Sequence, residues 1–199
     1  MMELSVGISG ASGAAYAVRF LQVLESLPEI TRIHLVISTN GFTLLKQEMA
    51  IRLSPKDFRI DQLIGRSSEK IQFYDNMNFY SPIASGSYPI DGMAIIPCST
   101  GTLGAIASGT STNLIQRGAE VVLKERKKLV LVIRETPLSE IHLESCLRVT
   151  RAGGVILPAA PGFYHRPSEV RDLIDFIVAR VMDQFRLPHS VGKRWGKDV

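Results

Sequence analysis

Residues 4–27 read LSVGISGASGAAYAVRFLQVLESL, an apolar run that breaks into a glycine- and serine-rich turn and resumes as an apolar stripe of helical spacing. A short, near-continuous apolar run followed at once by a helix is how a strand of a parallel sheet feeds its crossover. The pattern recurs along the chain. Strand-like runs lie at 33–38, 93–97, 129–134 and 154–158, with helical stretches at 14–27, 41–49, 103–107 running on towards 125, 138–152 and 168–185. In the last of these, Val170, Leu173, Ile174, Ile177, Val178 and Val181 form the stripe of a core-facing helix. Strands and helices alternating in this way predict an α/β, Rossmann-like three-layer α/β/α fold with a mostly parallel sheet. Ligands in such a fold sit beyond the carboxyl ends of the strands. Residues 50–92, with Pro55, Pro82, Pro89 and the stretch IASGSYP, break the rhythm and read as an irregular excursion.

A chain of 199 residues with 45% hydrophobic content fits one domain spanning residues 1–199, for which folding buries roughly 70% of the unfolded surface. Mean hydropathy of +0.13 excludes a disordered chain, yet no stretch approaches the ~20 apolar residues of a membrane span. The first residues carry no basic segment leading into an apolar one, so a cytoplasmic protein is expected. Cys98 and Cys146 have neither metal-ligand spacing nor the density of a disulfide framework, and read as reduced thiols. Net charge is +4. Cations are interleaved with acids except in KERKK at 124–128, which suits a phosphorylated small molecule better than nucleic acid.

Three groups of residues carry chemistry. Gly7, Gly10 and Gly13, with Ser9 and Ser12, occupy a strand-to-helix turn where backbone amides can approach an anion. Their GxxGxxG spacing is neither the dinucleotide GxGxxG nor a phosphate loop ending in GK[ST]. Ser38, Thr39 and Asn40 stand where a dinucleotide site places an acid. The turn therefore favours a mononucleotide over NAD, the alternative being a tight turn with no ligand. Pro97–Thr102 is a second such turn, followed by hydroxyls at 108 and 110–112, and capping of helix starts is the alternative role for each.

The third group is charged. Arg117, Lys124, Arg134 and Glu135 flank the run 129–134, and Arg134 and Glu135 fall at its carboxyl end. Arg126, Lys127 and Lys128 read as a solvated helix end. Glu48, near the end of the 41–49 helix, opposes the macrodipole at a cost of about 0.3–1 kcal/mol, and an unfavourable position points to a job. Residues 158–170, PAAPGFYHRPSEV, should hold Tyr164 and His165 in a fixed loop. Arg180 can either pair with Asp183 or bind an anion, and Trp195, the sole tryptophan, sits in a tail over 186–199 expected to pack on a neighbouring subunit.

Taken together, SGASGAAY, ASGSYPIDGMAIIPCSTGTL, NLIQRGAEVVLKERKKLVLVIRETPLS, IHLES and PAAPGFYHRPSEV resemble the UbiX family of flavin prenyltransferases, over nearly the whole chain and in order. The resemblance implies a flavoprotein fold and an enzyme that joins a dimethylallyl group from dimethylallyl phosphate to N5 and C6 of reduced FMN, passing prenylated FMN to UbiD-type decarboxylases. It implies FMN held by Gly10, Ala11, Ser12, Ser38, Ser99, Thr100, Gly101, Thr102 and Arg134. It implies dimethylallyl phosphate held by Arg117, Lys124, Glu135, Tyr164 and Arg180, with Ser12, Glu48, Lys124 and Glu135 as the catalytic set. Neighbouring subunits of a dodecamer would share each site. Phe79 and Tyr80 stand where relatives often carry tryptophan, and KRWG replaces PRWG. No DDxxD is present, so no metal is expected. Two alternatives are an FMN-dependent cysteine decarboxylase, whose histidine and PXMNXXMW stretch are missing here, and a flavin carrier subunit of an aromatic acid decarboxylase.

Overall fold

The structure, a computed structural model, describes residues 1–196. Six strands form one parallel sheet: β1 (Met2–Ile8), β2 (Ile30–Ile37), β3 (Ile71–Asp75), β4 (Gly92–Cys98), β5 (Lys128–Ile133) and β6 (Val155–Pro158), in the order β3-β2-β1-β4-β5-β6. Seven α-helices accompany them among the described residues: α1 (Ala14–Ser26), α2 (Thr39–Met49), α3 (Ile60–Ile64), α4 (Thr100–Ser108), α5 (Leu114–Lys124), α6 (Glu140–Arg151) and α7 (Val170–Gln184). None is long and apolar enough to cross a membrane.

The central strands are buried on both faces, which is why they read as unbroken Val, Ile and Leu. Phe20, Leu21 and Leu24 of α1 pack with Leu45, Leu63, Val178 and Met182 against one face. Leu103 of α4, Leu114 and Val122 of α5 and Val149 of α6 cover the other. The three layers predicted from the sequence are thus present.

Two expectations about the chain's path change. The helix expected to run from 103 towards 125 is two helices, because Gly109 ends α4 in the left-handed region, at φ 69°, and Asn113 caps the start of α5. The excursion at 50–92 contains α3 and β3. β3 is a short edge strand whose exposed Gln72 and Asp75 hide its apolar residues from a reading tuned to buried strands.

Strand order reverses between β1 and β4, so their following helices leave on opposite faces and a crevice opens at the carboxyl edge. Close packing sharpens this edge. A Cβ on Gly41 would lie 2.7 Å from the Ile8 carbonyl oxygen and 3.0 Å from Ile37. Gly41→Ala is expected to push α2 off the end of β1 and cost about 1–3 kcal/mol, read as a lowered urea midpoint.

At the opposite edge, His34 is fully buried and bonded through Nε2 to Glu3 (3.1 Å) and through Nδ1 to the Tyr74 hydroxyl (3.2 Å). Burial pushes the His34 pKa below its ordinary 6.5 despite the Glu3 partner. The ring is therefore neutral, donating to Glu3 and accepting from Tyr74. The Tyr88 hydroxyl (2.6 Å) holds the Glu3 carboxyl below its ordinary 4.5, with His34 and Arg32 helping against desolvation. Both folded pKa values are depressed, so the unfolded chain takes up these protons first and stability falls with pH. The urea midpoint is expected to drop as pH falls below 6.5, through His34 first, and to drop again below 4.5 as Glu3 protonates. His34→Gln should flatten the upper part of that profile.

Candidate active site

The loop after β1 meets the end of β4 and its following loop through Ser9, whose amide donates to the Pro97 carbonyl (3.2 Å). Ser9 Oγ donates to the Pro97 carbonyl (2.9 Å) and accepts from the Ser99 amide (2.7 Å), and Ser9 is 1% exposed. The loop after β2 is joined to the same place by the Ser38 amide on the Ile8 carbonyl (2.9 Å). A Cβ on Gly10 would stand 2.6 Å from Asn40 Cβ, so only glycine lets these backbones approach. From β5, Arg134 Nε reaches the Ser12 carbonyl (3.2 Å), and Glu135 accepts from the Thr100 hydroxyl (3.4 Å). Gly10, Ala11, Ser12, Ser38, Ser99, Thr100, Gly101, Thr102, Arg134 and Glu135 are therefore brought to one edge of one chain.

Several hydroxyls there have the capping role the sequence offered as the alternative. Ser38 accepts from the Gly41 amide (3.0 Å) at the start of α2. Ser99 accepts from the Thr102 amide (3.3 Å) at the start of α4. The first intrahelical bond of α4 is Leu103 to Ser99 (2.9 Å), which leaves the Thr100 and Gly101 amides for an external acceptor. Beyond its chain neighbours and its own helical backbone, no atom of the described residues lies within 4 Å of the Cβ position of Gly101. Two helix-start amides, an open backbone surface and Arg134 opposite suit a phosphorylated, flat ligand.

Glu48 resolves its own puzzle. Although exposed and at the wrong end of α2, its carboxylate accepts from the Gly13 amide (2.9 Å) and the Ala14 amide (2.8 Å). It caps α1, where the N-terminal dipole rewards the negative charge that α2's C-terminus penalises. Gly13 sits at φ 116° and has no side chain with which to cap.

The cations predicted to hold a phosphate do not join this edge within one chain. Lys124 ends α5 beside the start of β5, whereas Arg134 follows the end of that strand, roughly 20 Å away at ~3.3 Å per residue. Arg117 is turned onto the Ala84 carbonyl (3.0 Å) and Glu120 (3.0 Å). Ser111 (2.7 Å) and Arg117 together hold the Glu120 carboxyl below its ordinary value against some desolvation. Lys124 pairs with Glu125, and Arg180 with Asp183 (2.9 Å). Each predicted phosphate cation thus rests on a carboxylate. The Arg117 and Lys124 pairs, both members solvent-accessible, contribute about 0–1 kcal/mol, so a phosphate can replace those acids at little cost.

Tyr164 and Arg180 do share a cavity of about 240 Å³, lined also by Phe176 and Trp195. Tyr164 meets Trp195 edge-on at 5.1 Å and Phe176 at 5.8 Å. Asn40, Asp183 and His165, named in the sequence without a place in the site, lie beside it: Asn40 against Gly10, Asp183 on Arg180 and His165 next to Tyr164. His165 is 6% exposed, stacks on Phe176 at 5.7 Å, and has no hydrogen-bond partner for either ring nitrogen among the described residues. Its place beside Tyr164 in GFYHRP was the available signal. Of the tail expected to dock on a neighbour, residues 187–196 contact this chain's own α7, while 197–199 lie outside the described residues.

A model of the flavoprotein family matches residues 2–182. The flavin prenyltransferase UbiX of Halalkalibacterium halodurans is 44% identical, covering 98% of this chain and 93% of that one. A dodecameric FMN-dependent UbiX-like decarboxylase from Escherichia coli O157:H7 superposes with a TM-score of 0.87 at 41% identity, covering 98% and 99% of the two chains. AnUbiX (PadA1), solved in complex with FMN and dimethylallyl pyrophosphate, gives 0.85 at 39% identity, covering 98% and 97%.

Replacing Glu48 by Ala is expected to cost about 1 kcal/mol of stability through the lost cap, and Glu48→Gln, which keeps an acceptor, less. Thermal melts of the two variants beside the wild type check the order.

Proposed function

We propose, from the premise that the chain belongs to the flavoprotein family and within it to the UbiX flavin prenyltransferases, that it joins the dimethylallyl group of dimethylallyl phosphate to N5 and C6 of reduced FMN. The observation that carries this reading is the convergence of the three strand-end loops with Arg134 and Glu135 at the switch point. FMN is the prenyl acceptor. Gly10, Ala11, Ser12, Ser38, Ser99, Thr100, Gly101, Thr102 and Arg134 hold and orient it, with the free α4 amides and the guanidinium meeting its negative charge.

In the reaction, the C–O bond of the allylic phosphate breaks with its electron pair leaving on the phosphate, and N5 supplies the pair for the new bond to carbon. Lys124, Arg117 and Arg180 stabilise the departing phosphate, and Tyr164 donates to it. For closure the freed phosphate, as its acid, gives a proton to the remaining prenyl double bond, the tertiary carbon so made electron-poor takes its new bond from C6, and the C6 ring proton passes to Glu135 or back to the phosphate. Ser12 and Glu48 handle the proton at N5. The Glu48 Oε1 oxygen carries only a 3.3 Å contact to Gly13 and retains capacity to accept from Ser12.

Because the phosphate cations lie apart within one chain, the complete site needs neighbouring copies, and we take the assembly to be the dodecamer of the E. coli relative. Ile141, Leu143 and Leu147 on α6 are 74%, 55% and 48% exposed, which suits burial against further copies. On this reading residues 1–199 form a single flavoprotein domain whose tail meets a neighbour with its outer face. It works in the cytoplasm and hands prenylated FMN to a UbiD-type decarboxylase.

Anaerobic incubation with reduced FMN and dimethylallyl phosphate, and in parallel the pyrophosphate, followed by mass spectrometry of the extracted flavin, tests the reading. A gain of one C5 unit is expected. Glu135→Gln and Lys124→Ala should lower turnover about 10²-fold with FMN still bound. Unmodified FMN from loaded protein would overturn the reading in favour of cysteine decarboxylation or flavin carriage.

A further inference from the structure

Asp183 lies one helical turn beyond Arg180 on α7, which sets the two side chains on one face. Its carboxylate oxygens are divided between two parts of the chain. Oδ2 accepts from Arg180 Nη1 (2.9 Å), while Oδ1 accepts from Arg194 Nη2 (2.8 Å) and from His189 Nε2 (3.1 Å). Arg194 and His189 belong to the segment after α7, which doubles back along the helix as a strap. At its end Trp195 stands edge-on to Tyr164, and Tyr164, Arg180 and Trp195 line the same cavity.

An exposed i, i+3 pair alone would be a solvated surface contact of little consequence. Asp183 differs from that case in two respects. Its side chain is 21% exposed, and its three donors come from two separate segments. Burial works against its ionisation, and the hydrogen bonds from Arg194 and His189 overcome that, holding the carboxyl below the usual aspartate value. The Arg180 guanidinium spends one donor on Asp183 and keeps others for a ligand, so the pairing orients the side chain without consuming it.

We propose that Asp183 is a positioning residue that aims Arg180 into the Tyr164 cavity and pins the strap carrying Trp195 over it, so that binding of a phosphate dianion at Arg180 and closure of the strap are linked. The linkage deepens the prenyltransferase reading, which supplies the identity of the phosphate ester. If bound phosphate favours the closed strap, the closed strap tightens phosphate binding by the same factor.

Trp195 is the only tryptophan, so its emission reports on the strap. In FMN-bound protein, inorganic phosphate is expected to protect Trp195 from acrylamide quenching. Asp183→Asn should abolish that protection and raise KM for dimethylallyl phosphate about tenfold, the loss of one charge-assisted hydrogen bond, with kcat within about twofold. Asp183→Glu should recover part of both. Phosphate protection that survives in Asp183→Asn, or an unchanged KM, would overturn the proposal. If that variant does not fold, Arg194→Gln carries the same test, and retained protection there would be equally fatal. A wild type that fails to prenylate FMN overturns the enzymatic reading alone, because the quenching experiment needs only protein, FMN and inorganic phosphate.

Discussion

One hydroxyl spans the crevice on which the site depends. Reversal of strand order between β1 and β4 sends α1 and α4 to opposite faces and would leave their loops to separate. Ser9 prevents this: its amide and its Oγ both donate to the Pro97 carbonyl near the end of β4, and its Oγ accepts from the Ser99 amide in the loop that follows. Ser9 is buried, so removing the hydroxyl leaves the Ser99 amide unpaired at about 1–3 kcal/mol. Everything at the carboxyl edge follows from that registration. With β1 and β4 tied, the Arg134 guanidinium from the next strand lies within reach of the Ser12 carbonyl, and Glu135 within reach of Thr100.

The electrostatics of the chain divide into two kinds. At the carboxyl edge the positive elements are backbone amides and one arginine, fixed in place by the fold. Elsewhere Arg117, Lys124 and Arg180 are held by Glu120, Glu125 and Asp183, carboxylates within three residues on the same helix or turn. Such local pairs form whether or not the chain assembles, which keeps mobile cations from collapsing onto the acids of other surfaces. A phosphate dianion with two charges and several acceptors competes well against the lone carboxylates at Arg117 and Lys124, and at Arg180 it meets the donors that Asp183 leaves free, so the resting pairs do not block the site.

The parallel three-layer architecture was legible because buried strands have no polar face to write into the sequence, leaving runs such as LVLVI unmistakable. β3 was not legible. As an edge strand between prolines and glycines, IQFYD shares its apolar positions with polar ones and is short. The break between α4 and α5 hinged on the left-handed conformation at Gly109, and a glycine among serines and threonines does not reveal its own φ. The cradle was legible as small residues after strand ends. The partner of Glu48 was not, since 34 residues separate it from Ala14, but its misfit at a helix C-terminus was a local symptom of that distant contact. The strap's attachment to Asp183 depended on a tail path that no periodicity encodes.

The capping of α1 by Glu48 has a consequence for ligand choice across this architecture. In dinucleotide-binding relatives of the topology the first helix start is the seat of a pyrophosphate. Here a carboxylate already sits in that seat, fixed to the Gly13 and Ala14 amides. A bridging diphosphate arriving there would meet like charge and find both donors taken. The exclusion of two-headed nucleotides is thus wired into the chain by an internal anion, while the start of α4 keeps the Thr100 and Gly101 amides for a single-headed one.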